Sequence, residues 1–308
     1  MNPVSSFSRP VPLIAAPPTP FAADSSLLLQ SVEAQAARLL ADGVDGVFVG
    51  GTTGEASSLT RDERLQLAER WAAVLRGTSL RFIVHVGSNC IADARHLAAH
   101  AERIGASGIA AVAPCYFRPA DIGVLLDLCA TTAAAAPGIP FHYYEIPSLT
   151  GIHLASDRFL AQALDRIPTL AGLKFSNTDL VLLQKCAAVA PDRLEILYGS
   201  DDTLLAALAY GATGAVGSSY NVAAPLYRRM IAAAAAGDFV TARKEQLRSI
   251  QLVEVLNRRG FLASLKALLD YQGIPMGPVR LPLRNLDGAA TVSLLQELES
   301  TGALAWTR

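Results

Sequence analysis

The chain has 308 residues, of which 51% are hydrophobic and 17% are charged, and its formal net charge at pH 7 is −1. Because the charges balance and no block of like charge occurs, we expect no nucleic-acid partner and no anionic membrane surface as a partner. No run of 18 or more apolar residues occurs, so no transmembrane helix is predicted.

The N-terminus and the cysteines both favour a cytoplasmic protein. Residues 1–9 lack a basic stretch followed by an apolar one, and prolines interrupt the apolar stretch that comes next, which argues against a secretory signal. The cysteines show neither a CxxC pair nor the spacing of a zinc site, which suits reduced thiols in a cytoplasm. They are Cys90, Cys115, Cys129 and Cys186.

Short apolar runs alternate with amphipathic helical patterns along the first two thirds of the chain. Three junctions share one pattern, in which a glycine suited to a left-handed helix C-cap precedes a second glycine and an apolar run. The apolar run is typical of a strand buried in a parallel sheet. The junctions are 43–49, 105–112 and 211–217.

Eight strands and seven intervening helices are predicted on this basis. The strands are at about 11–16, 44–49, 81–86, 108–113, 139–144, 169–175, 194–199 and 213–218. The helices are near 26–41, 61–76, 91–104, 121–135, 156–166, 178–190 and 202–210. This alternation predicts an α/β fold, a (β/α)8 or TIM barrel. A doubly wound sheet is less favoured because no GxGxxG follows the first strand.

From about residue 224 the chain turns helical and is predicted to stay so. We therefore expect a single domain over 1–308, with the barrel strands and helices in about 11–222. The remainder, about 223–308, is predicted to hold the last barrel helix and a C-terminal helical extension that is a candidate oligomer contact.

In a TIM barrel, the chemistry belongs at the C-terminal ends of the strands. Polar side chains and one glycine collect at those predicted ends. They are Thr52, Thr53, Tyr116, Tyr144, Lys174, Ser176, Gly199, Asp201, Asp202 and Ser218.

Lys174 stands near the end of an apolar predicted strand, where a buried ammonium would cost several kcal/mol to desolvate. The chain has only three other lysines, Lys185, Lys244 and Lys266, and all fall in helical patterns where a solvated lysine is expected. Lys174 is either a strand-end lysine whose amine reaches water or an amine that forms a Schiff base with a carbonyl substrate. The polar residues gathered at the same mouth favour the Schiff base.

Glycines flank Thr52 and Thr53, which would let successive N–H groups and hydroxyls point at a carboxylate or phosphate. The alternative is an ordinary turn before a helix that Thr60 caps, with Glu63 as its capping-box partner.

Tyr144, Asp201 and Asp202 each have a structural and a functional interpretation. An aromatic residue at a strand end is usually packing, but beside a Schiff-base lysine the Tyr144 hydroxyl could relay a proton. The two aspartates either begin a helix or, beside Ser218, hydrogen-bond a polyhydroxylated substrate.

The histidines do not suggest a metal site. His85, His142 and His153 lack metal-ligand spacing with the carboxylates, and they are interpreted as core or surface residues. An amine, a carboxylate-binding turn and a phenol together describe an aldolase acting on a 2-oxo acid without metal or cofactor, in which the iminium serves as the electron sink.

The sequence resembles the dihydrodipicolinate synthase/N-acetylneuraminate lyase family of class I aldolases, over roughly residues 11–283. The stretches that carry the resemblance are 48–55, 144–151, 172–179, 211–221 and 273–278. The resemblance implies that Lys174 is the Schiff-base lysine and Tyr144 the catalytic tyrosine. It also implies that Thr52 and Thr53 hold the pyruvate carboxylate.

Other roles are likewise implied by the resemblance. Positions that face the sugar-derived part of the substrate in the lyases match Ser176, Gly199, Asp201, Asp202 and Ser218. Tyr116 falls where some members place a tyrosine that reaches into a neighbouring subunit's site. The family is commonly a homotetramer built as a dimer of dimers, so we expect that assembly here.

Leu149 bears on the substrate. Dihydrodipicolinate synthases carry an arginine at this position for a second carboxylate, and losing such a charge-assisted pair costs ~1.5–3 kcal/mol. The leucine favours cleavage of N-acetylneuraminate to N-acetylmannosamine and pyruvate. Asp202, where the lyases have glutamate, and Glu145, which adds a carboxylate near the mouth, keep open an aldolase for another 2-oxo sugar acid.

Two further alternatives remain. One is an enzyme like 4-hydroxy-tetrahydrodipicolinate synthase. The other, from a different class, is a non-catalytic sensor that binds sialic acid or pyruvate.

Overall fold

Eight parallel strands close into a barrel in which each strand pairs with the next along the chain and the last pairs with the first. The structure is a computed structural model that describes residues 10–307. The expectation that residues 1–9 hold no secretory signal lies outside the described residues. The strands are β1 Leu13–Ala15, β2 Gly46–Val49, β3 Arg81–His85, β4 Gly108–Val112, β5 Phe141–Glu145, β6 Leu170–Phe175, β7 Glu195–Tyr198 and β8 Gly214–Gly217.

Helices surround the barrel and continue beyond it, which confirms the predicted TIM barrel with additional C-terminal helices. Those up to the last barrel helix are α1 Ser31–Ala41, α2 Arg61–Leu75, α3 Ile91–Arg103, α4 Ile122–Ala133, α5 Pro147–Thr150, α6 Ser156–Arg166, α7 Leu180–Val189, α8 Leu204–Ala209 and α9 Tyr220–Ala235. The extension holds α10 Phe239–Asn257, α11 Phe261–Tyr271 and α12 Gly288–Ser300. Short 3-10 helices cover Ala56–Ser58, Asp201–Thr203 and Ala303–Thr307.

Local sequence signals set many of these boundaries. Gly43, Gly105 and Gly211 have φ values of 73°, 83° and 99°, as predicted for left-handed residues that end a helix before a strand. The capping box at the start of α2 is also present, since Thr60 accepts from the Glu63 backbone N–H and the Glu63 side chain accepts from that of Thr60.

The helices differ from the prediction in three respects. The first helix begins at Ser31 rather than near 26, because Phe21 and Leu27 form an antiparallel bridge before it. The short helix α5 follows β5 directly and was not predicted. The chain does not stay helical after 224: residues 272–287 are irregular between α11 and α12, where prolines and left-handed glycines interrupt the helix.

The strands bury their side chains on both faces. One set fills the barrel interior and consists of Ile14, Phe48, Ile83, Ala110, Tyr144, Leu197 and Val216. The other set packs against the helices, as Tyr143 does with Phe159 at 4.7 Å between ring centroids. Because side chains alternate along a strand, Tyr144 points into the barrel while its neighbours in β5 point outward.

Among residues 10–307, no helix combines the length and the apolarity that a membrane crossing would need.

Candidate active site

Lys174 is enclosed at the C-terminal mouth of the barrel. Its neighbours Leu173 and Phe175 pack toward the helices, so the lysine faces the interior, where it is only 5% exposed. The Lys174 Nζ atom donates to Ser176 Oγ at 3.2 Å and lies 3.6 Å from the centroid of the Tyr144 ring. The interpretation as a solvated strand-end lysine is therefore wrong.

Tyr144 lies beside that amine and is also buried. Its hydroxyl shares a hydrogen bond of 3.2 Å with the Thr52 hydroxyl. Burial by itself would raise the pKa of the Tyr144 phenol, but the adjacent Lys174 ammonium and the hydrogen bonds around the phenol bring that pKa below its ordinary value. The phenol is thus well suited to exchange a proton with a group bound over the lysine.

The turn after β2 brings both threonines into the mouth. Gly50 begins the turn with a φ of 67°, and Thr19 Oγ1 donates to the Gly54 carbonyl at 2.6 Å. The Thr53 hydroxyl shares a 2.5 Å hydrogen bond with the Ser218 hydroxyl at the end of β8. The turn therefore presents hydroxyls on the same side of the mouth as the Lys174 amine.

Gly199 follows β7 and lies against the residue that Lys174 contacts. A Cβ atom at this position would lie 2.0 Å from Ser176 Oγ. Any side chain at this position would displace the Ser176 hydroxyl, so the glycine keeps that space open.

Asp201 is buried and already has partners. Its Oδ2 atom accepts from the Ser219 backbone N–H at 2.9 Å and from the Ser219 hydroxyl at 2.6 Å. Its carbonyl oxygen accepts from Ser249 in α10 at 3.0 Å. Burial raises the pKa of Asp201 to about 6, against the effect of the Ser219 hydrogen bonds. Asp201 thus joins the mouth to α9 and α10, while Asp202 beside it stays half-buried.

Tyr116 is not brought together with the other site residues within one chain. It is 80% exposed on the loop after β4, with its ring edge-on to the equally exposed Phe117 at 5.0 Å between centroids.

Glu145 does not add a carboxylate to the mouth, so that expectation was wrong. It follows the inward-facing Tyr144 in β5, points toward the helices, and is 4% exposed. Its Oε1 atom accepts from Asn177 Nδ2 at 2.9 Å, whereas Oε2 has no hydrogen-bond partner among residues 10–307. Burial raises the pKa of this carboxyl to about 7.

His85 was interpreted as a core or surface histidine, and the structure places it in the core next to the site. Its Nδ1 atom lies 2.8 Å from the Gly50 carbonyl oxygen, and its ring meets the Tyr144 ring edge-on at 5.9 Å. Burial and the nearby Arg64 lower the pKa of His85 to about 3, so the ring is neutral and donates to Gly50. The signal in the sequence was that His85 lies two residues after Ile83 in β3, so both side chains face the barrel interior.

Lys266 was expected to be solvated, and this was wrong. It is 1% exposed, and its Nζ atom lies 2.7 Å from Glu55 Oε1 beneath the threonine-bearing turn. The signal in the sequence was the nearly uniform apolar character of Phe261–Tyr271, which leaves no polar face for a lysine.

No group of three or more His, Cys, Asp and Glu side chains within residues 10–307 is arranged to hold a metal ion.

Comparison with known proteins gives one consistent result. A profile described as the Dihydrodipicolinate synthetase family matches residues 10–300. The N-acetylneuraminate lyase of Gallus gallus is 41% identical over 275 residues, covering 88% of this chain and 89% of that protein. The N-acetylneuraminate lyase of Homo sapiens is 40% identical over 268 residues, covering 86% of this chain and 84% of that protein.

Solved structures agree with these relatives. The Proteus mirabilis N-acetylneuraminate lyase superimposes with a TM-score of 0.91 at 36% identity, over 95% of this chain and 99% of that one. The N-acetylneuraminate lyase from Aliivibrio salmonicida also gives 0.91 at 36% identity, over 96% of this chain and 97% of that one.

Proposed function

The chain belongs to the dihydrodipicolinate synthetase family, and we propose that it is a class I aldolase that cleaves N-acetylneuraminate reversibly to N-acetylmannosamine and pyruvate. The observation that carries the proposal is the buried Lys174 amine, which lies against the Tyr144 ring and beside a turn rich in hydroxyls. The lysine itself supplies the covalent link to the substrate, so the proposal includes no cofactor.

Catalysis begins when the deprotonated Lys174 amine attacks the C2 ketone of the open-chain sugar acid. The Tyr144 phenol gives its proton to the resulting hydroxyl, which leaves as water and so forms an iminium. The Tyr144 phenolate then takes the proton of the C4 hydroxyl as the C3–C4 bond breaks, and the electron pair of that bond moves into the iminium to form an enamine. N-acetylmannosamine leaves as the aldehyde. Protonation of the enamine at C3 and hydrolysis release pyruvate and return the amine.

Thr52 and Thr53 hold the carboxylate next to the ketone, through hydroxyls that are already oriented by Tyr144 and Ser218. Fixing the carboxylate sets the angle at which the carbonyl carbon meets the amine, and such orientation of the reacting groups raises the rate.

The sugar-derived chain lies over the ends of β6, β7 and β8. Ser176, Asp202 and Ser218 offer hydrogen-bonding groups there, and Gly199 leaves the space. Asp201 supports this wall of the mouth through Ser219, because its Oδ2 atom already accepts two hydrogen bonds from that residue.

The whole-chain expectations are part of the same proposal. We propose a cytoplasmic enzyme with one domain that assembles as a homotetramer, a dimer of dimers. The exposed aromatic pair Tyr116 and Phe117 would supply contacts between subunits, with Tyr116 reaching toward the neighbouring site.

One other substrate class has a specific observation in its favour. Asp202 is one methylene shorter than the glutamate expected in the lyases and stays half-buried at the mouth, which would suit a different 2-oxo sugar acid. Glu145 no longer supports this alternative, because it faces the helices. Leu149, 61% exposed on α5, gives a second carboxylate no positive partner and so disfavours a dihydrodipicolinate synthase activity.

The test is pyruvate release from N-acetylneuraminate, followed with lactate dehydrogenase, together with borohydride trapping of pyruvate on the protein. We expect turnover and a trapped adduct in the native chain, and neither in the Lys174→Ala variant. Trapping without turnover of N-acetylneuraminate would keep the aldolase and transfer the substrate question to a panel of sugar acids. Absence of both would overturn the proposal in favour of a non-catalytic binding protein.

A further inference from the structure

A second buried lysine lies beneath the carboxylate-binding turn, outside the proposed catalytic groups. Lys266 in α11 and Glu55 at the end of the turn form an ion pair of 2.7 Å, and each side chain is 1% exposed. Lys266 Nζ also donates to the Pro278 carbonyl at 2.8 Å and lies 4.3 Å from the centroid of the Phe21 ring.

Both oxygens of the Glu55 carboxylate are occupied from the C-terminal extension. Lys266 Nζ donates to Oε1 at 2.7 Å, and the Arg280 backbone N–H donates to Oε2 at 2.8 Å. The Arg280 side chain in turn pairs with Glu63 in α2. The extension therefore binds the end of the turn through Glu55, the residue that follows Thr52, Thr53 and Gly54.

The backbone at Glu55 is in a conformation that a side-chain-bearing residue rarely adopts. Its φ is 54°, in the left-handed region, and its N–H donates to the Thr52 carbonyl at 3.0 Å. This closes the turn so that the hydroxyls of Thr52 and Thr53 reach Tyr144 and Ser218. The Lys266–Glu55 ion pair is made by the side chain of this left-handed residue.

A buried ion pair is weak evidence for stability, because desolvation of the two charges offsets much of their attraction. The better-supported role of a buried ion pair is to fix one conformation of the groups around it. Here the proposed substrate-binding feature within three residues of Glu55 is the threonine pair.

We infer that Lys266 and Glu55 are positioning residues that hold the Thr52–Thr53 turn in the shape that binds the substrate carboxylate. The C-terminal extension is thereby part of the substrate-binding apparatus. This inference rests on the proposed function, since it assigns the pair an effect on carboxylate binding.

The test measures the pyruvate concentration that gives half-maximal borohydride-trapped adduct, by intact mass, in the native chain and three variants. Lys266→Met leaves a buried carboxylate without its partner and is expected to impair folding. The double variant Glu55→Gln with Lys266→Met removes both charges and keeps an acceptor for the Arg280 N–H. The control, Glu195→Gln, breaks an ion pair with Arg81 at the opposite end of the barrel.

In the double variant we expect full trapping at saturating pyruvate but a half-saturating concentration raised about tenfold or more, because the carboxylate site has lost its fixed orientation. KM for the sugar acid should rise more than kcat falls. Glu195→Gln should keep the native half-saturation even where its Tm is lower.

Three results would overturn the inference or its premise. A native half-saturation in a folded double variant with lowered Tm would make the pair a stability element only. Failure of the double variant to fold would likewise make the ion pair a stability element only. Failure of the native chain to trap pyruvate would instead overturn the proposed function.

Discussion

Tyr144 combines a packing role in the barrel interior with the chemistry proposed for its hydroxyl. Its ring fills the barrel interior between Phe48 and His85, with centroids at 5.7 and 5.9 Å, and its hydroxyl still reaches Thr52. Because the ring is held on two sides, the phenol is fixed where the Lys174 amine can lower its pKa. Packing and acid–base function are therefore compatible at this residue.

Tyr144→Phe separates these roles, since it keeps the ring and removes only the hydroxyl. We expect the protein to fold and kcat for cleavage to fall by ~10²–10⁴, the usual contribution of a positioned acid or base. Steady-state kinetics with the coupled assay measure kcat, and thermal unfolding checks the fold. Near-native kcat in the phenylalanine variant would assign the proton transfer to another group.

The buried carboxyl of Glu145 should make the free energy of unfolding depend on pH. Its pKa is raised by burial from an ordinary 4.5 to about 7, so between these values only the unfolded chain releases the proton. Stability should therefore fall as pH rises from 5 to about 7 and then level off. The loss assigned to this carboxyl is about 2–3 kcal/mol.

Urea unfolding at pH 5 and pH 8 measures this loss. The Glu145→Gln variant should lose less stability over that range than the native chain does, by about 2–3 kcal/mol. The exposed Glu254 in α10 offers a matched control, and Glu254→Gln should follow the native curve. Parallel curves for the native chain and Glu145→Gln would show that Glu145 is ionised in the folded protein throughout.

The ends of β6 and β7 lie so close together that a side chain at Gly199, just after β7, would meet the Ser176 side chain, just after β6. Gly199→Ala would place a methyl group 2.0 Å from Ser176 Oγ and displace the hydroxyl that Lys174 contacts. We expect kcat/KM to fall about tenfold or more through lost positioning. At Gly288 in α12 an added Cβ meets nothing within 4 Å, so Gly288→Ala should leave kcat/KM unchanged. Equal kinetics in both alanine variants would show that Ser176 can move without consequence.

The strands could be predicted from the sequence because most of them are short apolar runs, and a glycine-bearing helix end precedes three of them. Both signals are local. The late start of α1 could not, because it depends on the bridge between Phe21 and Leu27. Phe21 in turn is held by its backbone hydrogen bond to Met276, far along the chain. The irregular segment 272–287 did carry a local signal, its prolines and glycines, which the helical interpretation underweighted.

Closure of the barrel explains which site residues could be predicted. Four site residues lie close to the C-terminal ends of four different strands, namely Thr52, Tyr144, Lys174 and Ser218. Parallel strands in a barrel bring such ends to one mouth. Glu55 and Lys266 meet across 211 positions between the barrel and its extension, and no strand pattern encodes that contact. The sequence therefore identifies the groups proposed for chemistry better than those that hold them in place.

Two adjacent aromatic side chains are exposed on the loop after β4. Tyr116 and Phe117 are 80% and 84% exposed, and two neighbouring aromatic side chains of that exposure are characteristic anchors of a protein interface. In the proposed tetramer they are buried against another subunit, so Tyr116→Ser with Phe117→Ser should lower the mass of the assembly and reduce turnover together. Mass photometry and the coupled assay report these two quantities. Val240→Ser, which changes a 75% exposed residue on α10, should alter neither. A native-sized assembly in the double serine variant would place the subunit contacts elsewhere on the barrel.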